Sequence, residues 1–297
     1  MRTLVIGGRG FLGRRVVAAL RERGVEPTAS GRELDIAQIT PAQLAPYEVV
    51  INCSDTLVAP PDQLHLAARA AGVIYLETTS EPRAYRRLLD QHTLGDGIAI
   101  LGAGLFPGIS NLVAHAAFTA NGCRGPVSLA IRFSPFTAAG KGMVALIAFL
   151  LREPPIDGSR PFQPGPAMHF RDGMHPTVHA AMPEAHLLAH SLDTKVTALL
   201  SPTPNLLQPL LRFVPAWLAR VGVGFLRRFI FRNRPTRVEI AATAGDQTIH
   251  YVADDGVMAG ARAIADLASR IFRHRVTAGT YTVDQILTLE EVRRSAA

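Results

Sequence analysis

The sequence predicts an α/β chain, a doubly wound parallel sheet that carries an inserted α+β second domain. Three observations predict it. An apolar strand from Thr3 runs through a glycine-rich turn into an amphipathic helix at the start of the chain. Short apolar runs then alternate with amphipathic stretches as far as residue 120, the rhythm of strands joined by crossover helices. From Val127 the period changes to two, because Val127, Leu129, Ile131 and Phe133 alternate with Ser128, Ala130, Arg132 and Ser134.

The first helix has an apolar face of Leu12, Val16, Val17 and Leu20 opposite Arg14, Arg15, Arg21 and Arg23, and Gly24 stops it. Val25 to Ser30 is expected as strand two, internal to the sheet, with Pro27 at its first turn or a bulge. Tyr47 to Ser54 is a continuous apolar strand, followed by a helix over Asp62 to Ala71 that Gly72 ends. Val73 to Thr79 and Ile98 to Ala103 are further strands, with a helix starting near Pro82 between them and another from about Ile109 to Ala120 after the turn Gly104-Leu-Phe-Pro-Gly108.

Past Val127, which reads as a half-buried antiparallel strand, come an apolar helix from about Lys141 to Leu151, a proline- and histidine-rich stretch to about Ser191, and a basic block. A hairpin then has strands Arg237 to Ala242 and Thr248 to Ala253 around Ala244-Gly-Asp246. Asp254 is expected to cap a helix running to about Arg273, and Thr282 with Gln285 to form the capping box of a last helix. The expected domains are 1–120, 121–254 and 255–297, the last returning to the first.

The 297 residues are nearly half apolar, enough for a sizeable core. Strand one follows Met1 directly, and Cys53 and Cys123 lie in different elements without a metal-binding set, so a cytoplasmic chain without metal is expected. The net charge of +7 is concentrated. Between Thr194 and Val238 no acid occurs, while Lys195, Arg212, Arg220, Arg227, Arg228, Arg232, Arg234 and Arg237 are interleaved with Leu, Phe, Val and Trp. This pattern argues against nucleic acid, since the aromatics alternate with aliphatics and form no stacking platform. Three readings of 206–234 stay open: core helices with wet arginines, a lid over an apolar pocket, or a peripheral membrane contact that presses Leu210, Phe213, Trp217 and Phe225 toward anionic lipid.

Gly8, Gly10 and Gly13 form G-x-G-x-x-G in the strand–turn–helix setting that gives the motif meaning. Gly8 is expected to permit the tight turn, Gly10 the close approach of a pyrophosphate, and Gly13 close packing of helix on strand, with Arg9, Phe11 and Leu12 completing the phosphate-facing segment. The pattern predicts a Rossmann dinucleotide site. At the end of strand two an acid would hydrogen-bond the ribose of NAD, but Ser30-Gly-Arg32 stands there, which suits a 2′-phosphate and favours NADP over NAD. Arg32 as a solvated loop residue is the competing reading. Ligands in open parallel sheets lie beyond the strands' carboxyl ends, so Cys53, Ser54, Thr78, Thr79 and the backbone at Gly104 are expected near the nicotinamide.

The run Val5-Ile-Gly-Gly-Arg-Gly-Phe-Leu-Gly13, Ser30-Gly-Arg32, Val49-Val-Ile-Asn-Cys-Ser54, Gly72-Val-Ile-Tyr-Leu-Glu77 and Gly102-Ala-Gly-Leu-Phe-Pro-Gly108 together resemble the saccharopine dehydrogenase-like NADP-binding oxidoreductases. The resemblance covers the first ~115 residues, and the remainder is similar in layout. It implies a Rossmann domain completed by C-terminal helices, an inserted domain that supplies substrate contacts and often dimerises, and reduction of an imine or work on other C–N or C=C bonds with NADPH. Glu77 stands where relatives usually have Asp, and Phe106 precedes Pro107-Gly108 where they often have an acid, which points to a more apolar small-molecule substrate.

Three residues are candidates for catalysis. Glu77 would relay a proton or orient substrate, or else cap the helix near Pro82; Lys141 would hold an anionic group or act as acid, or else lie on the surface. His175 is selected from His169, His175, His179, His186 and His190, whose spacing fits solvated strand and loop positions better than a metal site. No Tyr is followed four positions later by Lys, which removes the proton-relay pair of a short-chain reductase. An NADPH-dependent oxidoreductase is thus expected, with a non-catalytic NADP-binding sensor or membrane-associated adaptor as the alternative.

Overall fold

The computed structural model describes residues 1–91, 95–134, 149–203, 236–274 and 276–296. Lys141, most of the expected 141–151 helix and nearly all of the basic block at 206–234 lie outside the described residues. The chain forms two compact units, one of Met1–Asn111 with Val257–Ala297, the other of Leu112–Gly256.

The first unit is built on β1 (Thr3–Ile6), β2 (Thr28–Ala29), β3 (Val49–Asn52), β4 (Ile74–Glu77) and β5 (Ile98–Leu101), with α1 (Phe11–Arg21), α2 (Pro41–Leu44), α3 (Asp62–Ala70) and α4 (Pro82–Asp90) between them. All pairings are parallel, and every residue of β1, β3, β4 and β5 is buried, as a sheet covered on both faces requires. One part of the core packs Leu4, Ile6, Val50 and Tyr75 against Ile36, Ile39, Leu44 and Leu64.

Strand two departs from expectation. It is two residues long and lies at one edge of the sheet, beside β1. Pro27 falls just before it, where a missing N–H costs no internal ladder bond. The other edge is β12 (Gly279–Thr282), a strand the sequence reading left unassigned because Gly-Thr-Tyr-Thr has no apolar run. Thr282 and Gln285 do form a capping box, but it closes a single 3₁₀ turn over Val283–Gln285. The last helix begins later, where the Thr288 hydroxyl and amide both bond the Glu291 carboxylate. The long helix Gly256–Arg273 starts two residues beyond Asp254, and its Asp266 accepts from Arg23, behind α1, at 2.7 Å.

The second unit holds β6 (Val127–Phe133), β7 (Pro164–Phe170), β8 (Gly173–His179), β9 (Val196–Pro202), β10 (Val238–Ala244) and β11 (Gln247–Ala253) in the order β11-β10-β6-β9-β8-β7. The α5 helix (Ile109–Ala120) leads into it along the chain, and α6 (Pro183–Leu192) precedes β9. The sheet is mixed: β6 pairs antiparallel with β10 but parallel with β9. The proline- and histidine-rich stretch is therefore a β-hairpin and a helix, with His169 on β7, His175 and His179 on β8, and His186 and His190 on α6. Its periodicity is masked by Pro164, Pro166 and Pro176 and by a bulge between Gly165 and Met168. The β7–β8 turn folds over β10, since the Arg171 amide donates to Glu239, and Ala130, Met168, Phe170, Leu199 and Ala241 form the core beneath.

His65, fully buried on α3, fixes the first unit across three segments, with Nδ1 2.7 Å from the Gln91 amide oxygen and Nε2 3.2 Å from the Thr280 hydroxyl of β12. Burial depresses its basicity more than the Gln91 hydrogen bond restores it. A base weakened by folding contributes stability above its unfolded pKa of 6.5, and this is lost as pH falls through the lower folded value. Urea midpoints taken from pH 8 to pH 5 should therefore fall more steeply for the wild type than for His65→Gln. Parallel profiles would show that His65 does not govern this range.

Candidate functional site

The carboxyl end of the first sheet gathers the polar residues of the unit. In register across it lie Ile6, Asn52, Glu77, Leu101 and Thr282. From β1 the chain turns at Gly7, whose positive φ of 70° marks it as the tight-turn residue in place of Gly8. A Cβ at Gly7 would sit 2.6 Å from the carbonyl oxygen of Cys53, so the turn rests directly on the end of β3. Gly8 has its own reason for lacking a side chain, since a Cβ there would meet Ala29 at 2.8 Å. At Gly13 a Cβ would come within 2.2 Å of the Gly7 carbonyl oxygen, so α1 is pressed onto the turn.

Gly10 caps α1 without any side-chain hydrogen bond, and its amide donates to the Gly7 carbonyl at 2.8 Å. Among the described residues, apart from its chain neighbours, a Cβ on Gly10 would meet only Gly7 within 4 Å. Arg15 spans the first turn, donating to the Phe11 carbonyl at 2.9 Å with its guanidinium 3.9 Å from the Phe11 ring centre.

Ser30 follows β2. Its amide bonds the Val5 carbonyl at 3.0 Å, while its buried hydroxyl lacks a hydrogen-bond partner among the described residues. Arg32 is exposed, with no hydrogen bond or ion pair among them. Arg9, from the glycine turn, pairs at 3.2 Å with Glu33, a residue that the sequence reading passed over.

Glu77 is wholly enclosed. Its Oε2 accepts from Asn52 at 2.9 Å and from the Tyr75 phenol, and its Oε1 from the Thr79 amide at 2.7 Å. Burial lifts the carboxyl to about 7, with the Tyr75, Asn52 and backbone donors pulling the other way. Asn52 in turn accepts from both the amide and hydroxyl of Ser54, the latter at 2.7 Å, and the Thr78 hydroxyl donates to the Asn52 carbonyl at 2.6 Å. Thr79 bonds Thr56 by its hydroxyl, and Tyr85 donates to the Thr79 carbonyl. Glu77 thus orders the loops after β3 and β4, and α4 begins instead after Glu81. Cys53, beside this lattice, carries a thiol that burial pushes up to about 12, so it is neutral.

After β5 the chain crosses itself. The Gly104 amide donates to the Pro107 carbonyl at 2.8 Å across a cis Phe106–Pro107 bond, and a Cβ on Gly108 would lie 1.8 Å from the Gly104 carbonyl oxygen. The Gly104 amide is therefore spent within the turn. Asn111 steadies it by accepting from the Gly108 amide at 3.1 Å.

His175 belongs to the second unit, so it is described separately from Glu77. Its Nε2 lies 2.8 Å from Asp172, which is drawn down to about 2 mainly by Arg132, and its ring stands edge-on to Phe170. It fastens the β7–β8 turn. Among the described residues, no three His, Cys, Asp or Glu side chains are placed to hold a metal ion, and no helix is long and apolar enough to cross a membrane.

Glu33 and Asn111 carry no sequence signal beyond their residue type, whereas Gly7 and Asn52, named above only within longer runs, do. Gly7 directly ends an apolar strand, and Asn52 is the lone polar residue in Val49-Val-Ile-Asn52.

No protein-family model matches the chain, and no curated protein is similar to it in sequence. Solved structures are. Homospermidine synthase from Legionella pneumophila, solved in complex with NAD, superposes with a TM-score of 0.66 at 13% identity, covering 99% of this chain and 88% of that one. Saccharopine dehydrogenase (L-Glu forming) from Saccharomyces cerevisiae superposes at 0.59 with 11% identity, covering 99% and 95%. What is shared is the fold. The chain has in common with them a parallel Rossmann-type sheet and a second, mixed sheet.

The raised Glu77 carboxyl has a thermodynamic signature. Between pH 4.5 and about 7 the folded chain keeps a proton that the unfolded chain has released. The associated stability is complete below pH 4.5 and is lost as pH rises through about 7. Glu77→Gln, which has no proton to lose, should remove a decline of about 1 to 3 kcal/mol over this interval in chemical denaturation. An identical decline in the variant would assign it to other groups.

Proposed function

We propose that the chain is an NADP(H)-dependent oxidoreductase that acts on a C=N, C=C or C=O bond of a small to medium, predominantly apolar substrate. The observation that carries this reading is the N-terminus of α1, which no side chain caps, pressed onto the turn by Gly7 and Gly13, with Gly7 the one non-neighbouring described residue within 4 Å of a Cβ at Gly10. Unpartnered amides and the helix dipole together favour a diphosphate there. The buried, unpartnered Ser30 hydroxyl and the exposed Arg32 suit a phosphorylated ribose next to it. Superposition on the NAD complex of homospermidine synthase and on saccharopine dehydrogenase supports the same class of ligand.

When bound, the nicotinamide donates or accepts the hydride. The chain's own part is to place it. Backbone at residues 11–13 receives the diphosphate, Arg32 the adenosine phosphate, and the Glu77–Asn52 lattice holds Ser54 and Thr78 still at the ends of β3 and β4. Glu77 is a positioning residue in this scheme, because its carboxylate is spent on Tyr75, Asn52 and Thr79. The half-buried Phe106 in the turn after β5 supports an apolar substrate.

A second reading, an NADP-binding sensor without turnover, is favoured by that same enclosure of Glu77. NADPH binding without hydride loss to imine, enone or aldehyde acceptors would select it.

Calorimetry tests the nucleotide claim directly. Arg32→Glu should weaken NADPH binding roughly tenfold or more and leave NADH within about twofold, since the lost charge-assisted contact serves only the extra phosphate. Equal loss for both would remove the NADP preference, and no heat from either nucleotide with folded wild type would remove the oxidoreductase reading.

A further inference from the structure

The segment after β2 already holds an anion of its own. Glu33 folds back so that its Oε1 accepts from the Gly31 amide at 2.8 Å and lies 3.2 Å from Arg9 Nη2, with Arg9 Nη1 3.5 Å from Oε2. Its own amide and that of Gly31 hold the carboxyl below its ordinary range, with Arg9 adding a smaller pull. Arg32 sits between these residues in the chain, and Ser30 immediately before them keeps its hydroxyl unpartnered. Backbone N–H groups and one guanidinium therefore converge on a carboxylate that is next in sequence to Arg32.

A carboxylate and a phosphate monoester ask for the same donors, but the phosphate carries close to two charges at neutral pH. The occupant is also weakly held. Side chains of Arg9 and Glu33 are 70% and 53% exposed, and pairs of this kind are worth about 1 kcal/mol or less.

We infer that the Glu33 carboxylate is a tethered stand-in for the adenosine 2′-phosphate, lying on Gly31 and Arg9 until the phosphorylated cofactor displaces it. This rests on the nicotinamide-nucleotide reading above and adds a specificity determinant to it. NADP(H) must expel Glu33 from the donors. NAD(H), which lacks the phosphate, leaves it in place. Glu33 thereby lowers the affinity for the phosphorylated nucleotide without touching the other, and Arg9 joins Arg32 as a phosphate ligand once released.

Calorimetry with NADPH and NADH on the full chain tests this. Glu33→Ala should tighten NADPH roughly fivefold, the worth of the exposed pair it no longer has to break, and change NADH by less than about twofold. Glu33→Gln, which keeps the shape without the charge, should shift NADPH in the same direction. Arg9→Ala in the Glu33→Ala background should abolish the gain. Two results overturn the inference while leaving the nucleotide reading intact: NADPH binding indifferent to Glu33, or NADH binding weakened by Glu33→Ala, which would make the carboxylate a ligand of the ribose hydroxyls. Heat from neither nucleotide with folded wild type would instead remove the reading and the inference together.

Discussion

The contact between the Gly7 turn and the backbone of Cys53 is the constraint from which the first unit's architecture follows. No side chain fits there, because a Cβ would enter the Cys53 carbonyl, and none fits at Gly13, where it would enter the Gly7 carbonyl. Two missing side chains thus bring β1, β3 and α1 into direct backbone contact, which fixes where the helix N-terminus points. Everything polar at this end of the sheet is arranged around that fixed point. Ser30 reaches it because its amide continues the hydrogen bonding of β1, and Asn52 because it is paired in register with Ile6.

A second layer of order comes from Glu77. A buried carboxyl that meets three donors is stabilised only if those donors stay where they are, so the charge and the loops constrain each other. The lattice runs from Tyr75 within β4, through Asn52 on β3, to Ser54 and Thr79 beyond the strands. Removing one of these donors takes a hydrogen bond from a carboxyl that burial keeps from bulk solvent, which costs more than losing the same bond at the surface.

Much of the first unit was legible because parallel strands covered on both faces are written as continuous apolar runs. Val49-Val-Ile and Ile98-Ala-Ile-Leu leave little room for another reading, and Gly10 and Gly13 stand where the motif requires. The misreadings have physical causes. Strand two was extended inward because β-branched and small residues from Val25 to Ser30 fit a strand, whereas only Thr28–Ala29 pair at an edge that tolerates Pro27. β12 is held by pairing with β5 and not by its own composition, and β7 and β8 are interrupted by prolines and a bulge that erase alternation. At the site, glycines and hydroxyls could be placed by position in the motif. The enclosure of Glu77 and the return of Glu33 onto Gly31 depend on side-chain geometry across elements, which spacing along the chain does not encode.

The sheet of the first unit is assembled from both ends of the chain, with β12 joining β5 only after the whole of the second unit has intervened. During synthesis, then, β5 emerges with a bare flank and His65 without its Thr280 partner until residues 279–282 are made. The sheet is complete only once β12 pairs with β5, so closure of this long loop is expected to set the pace of folding.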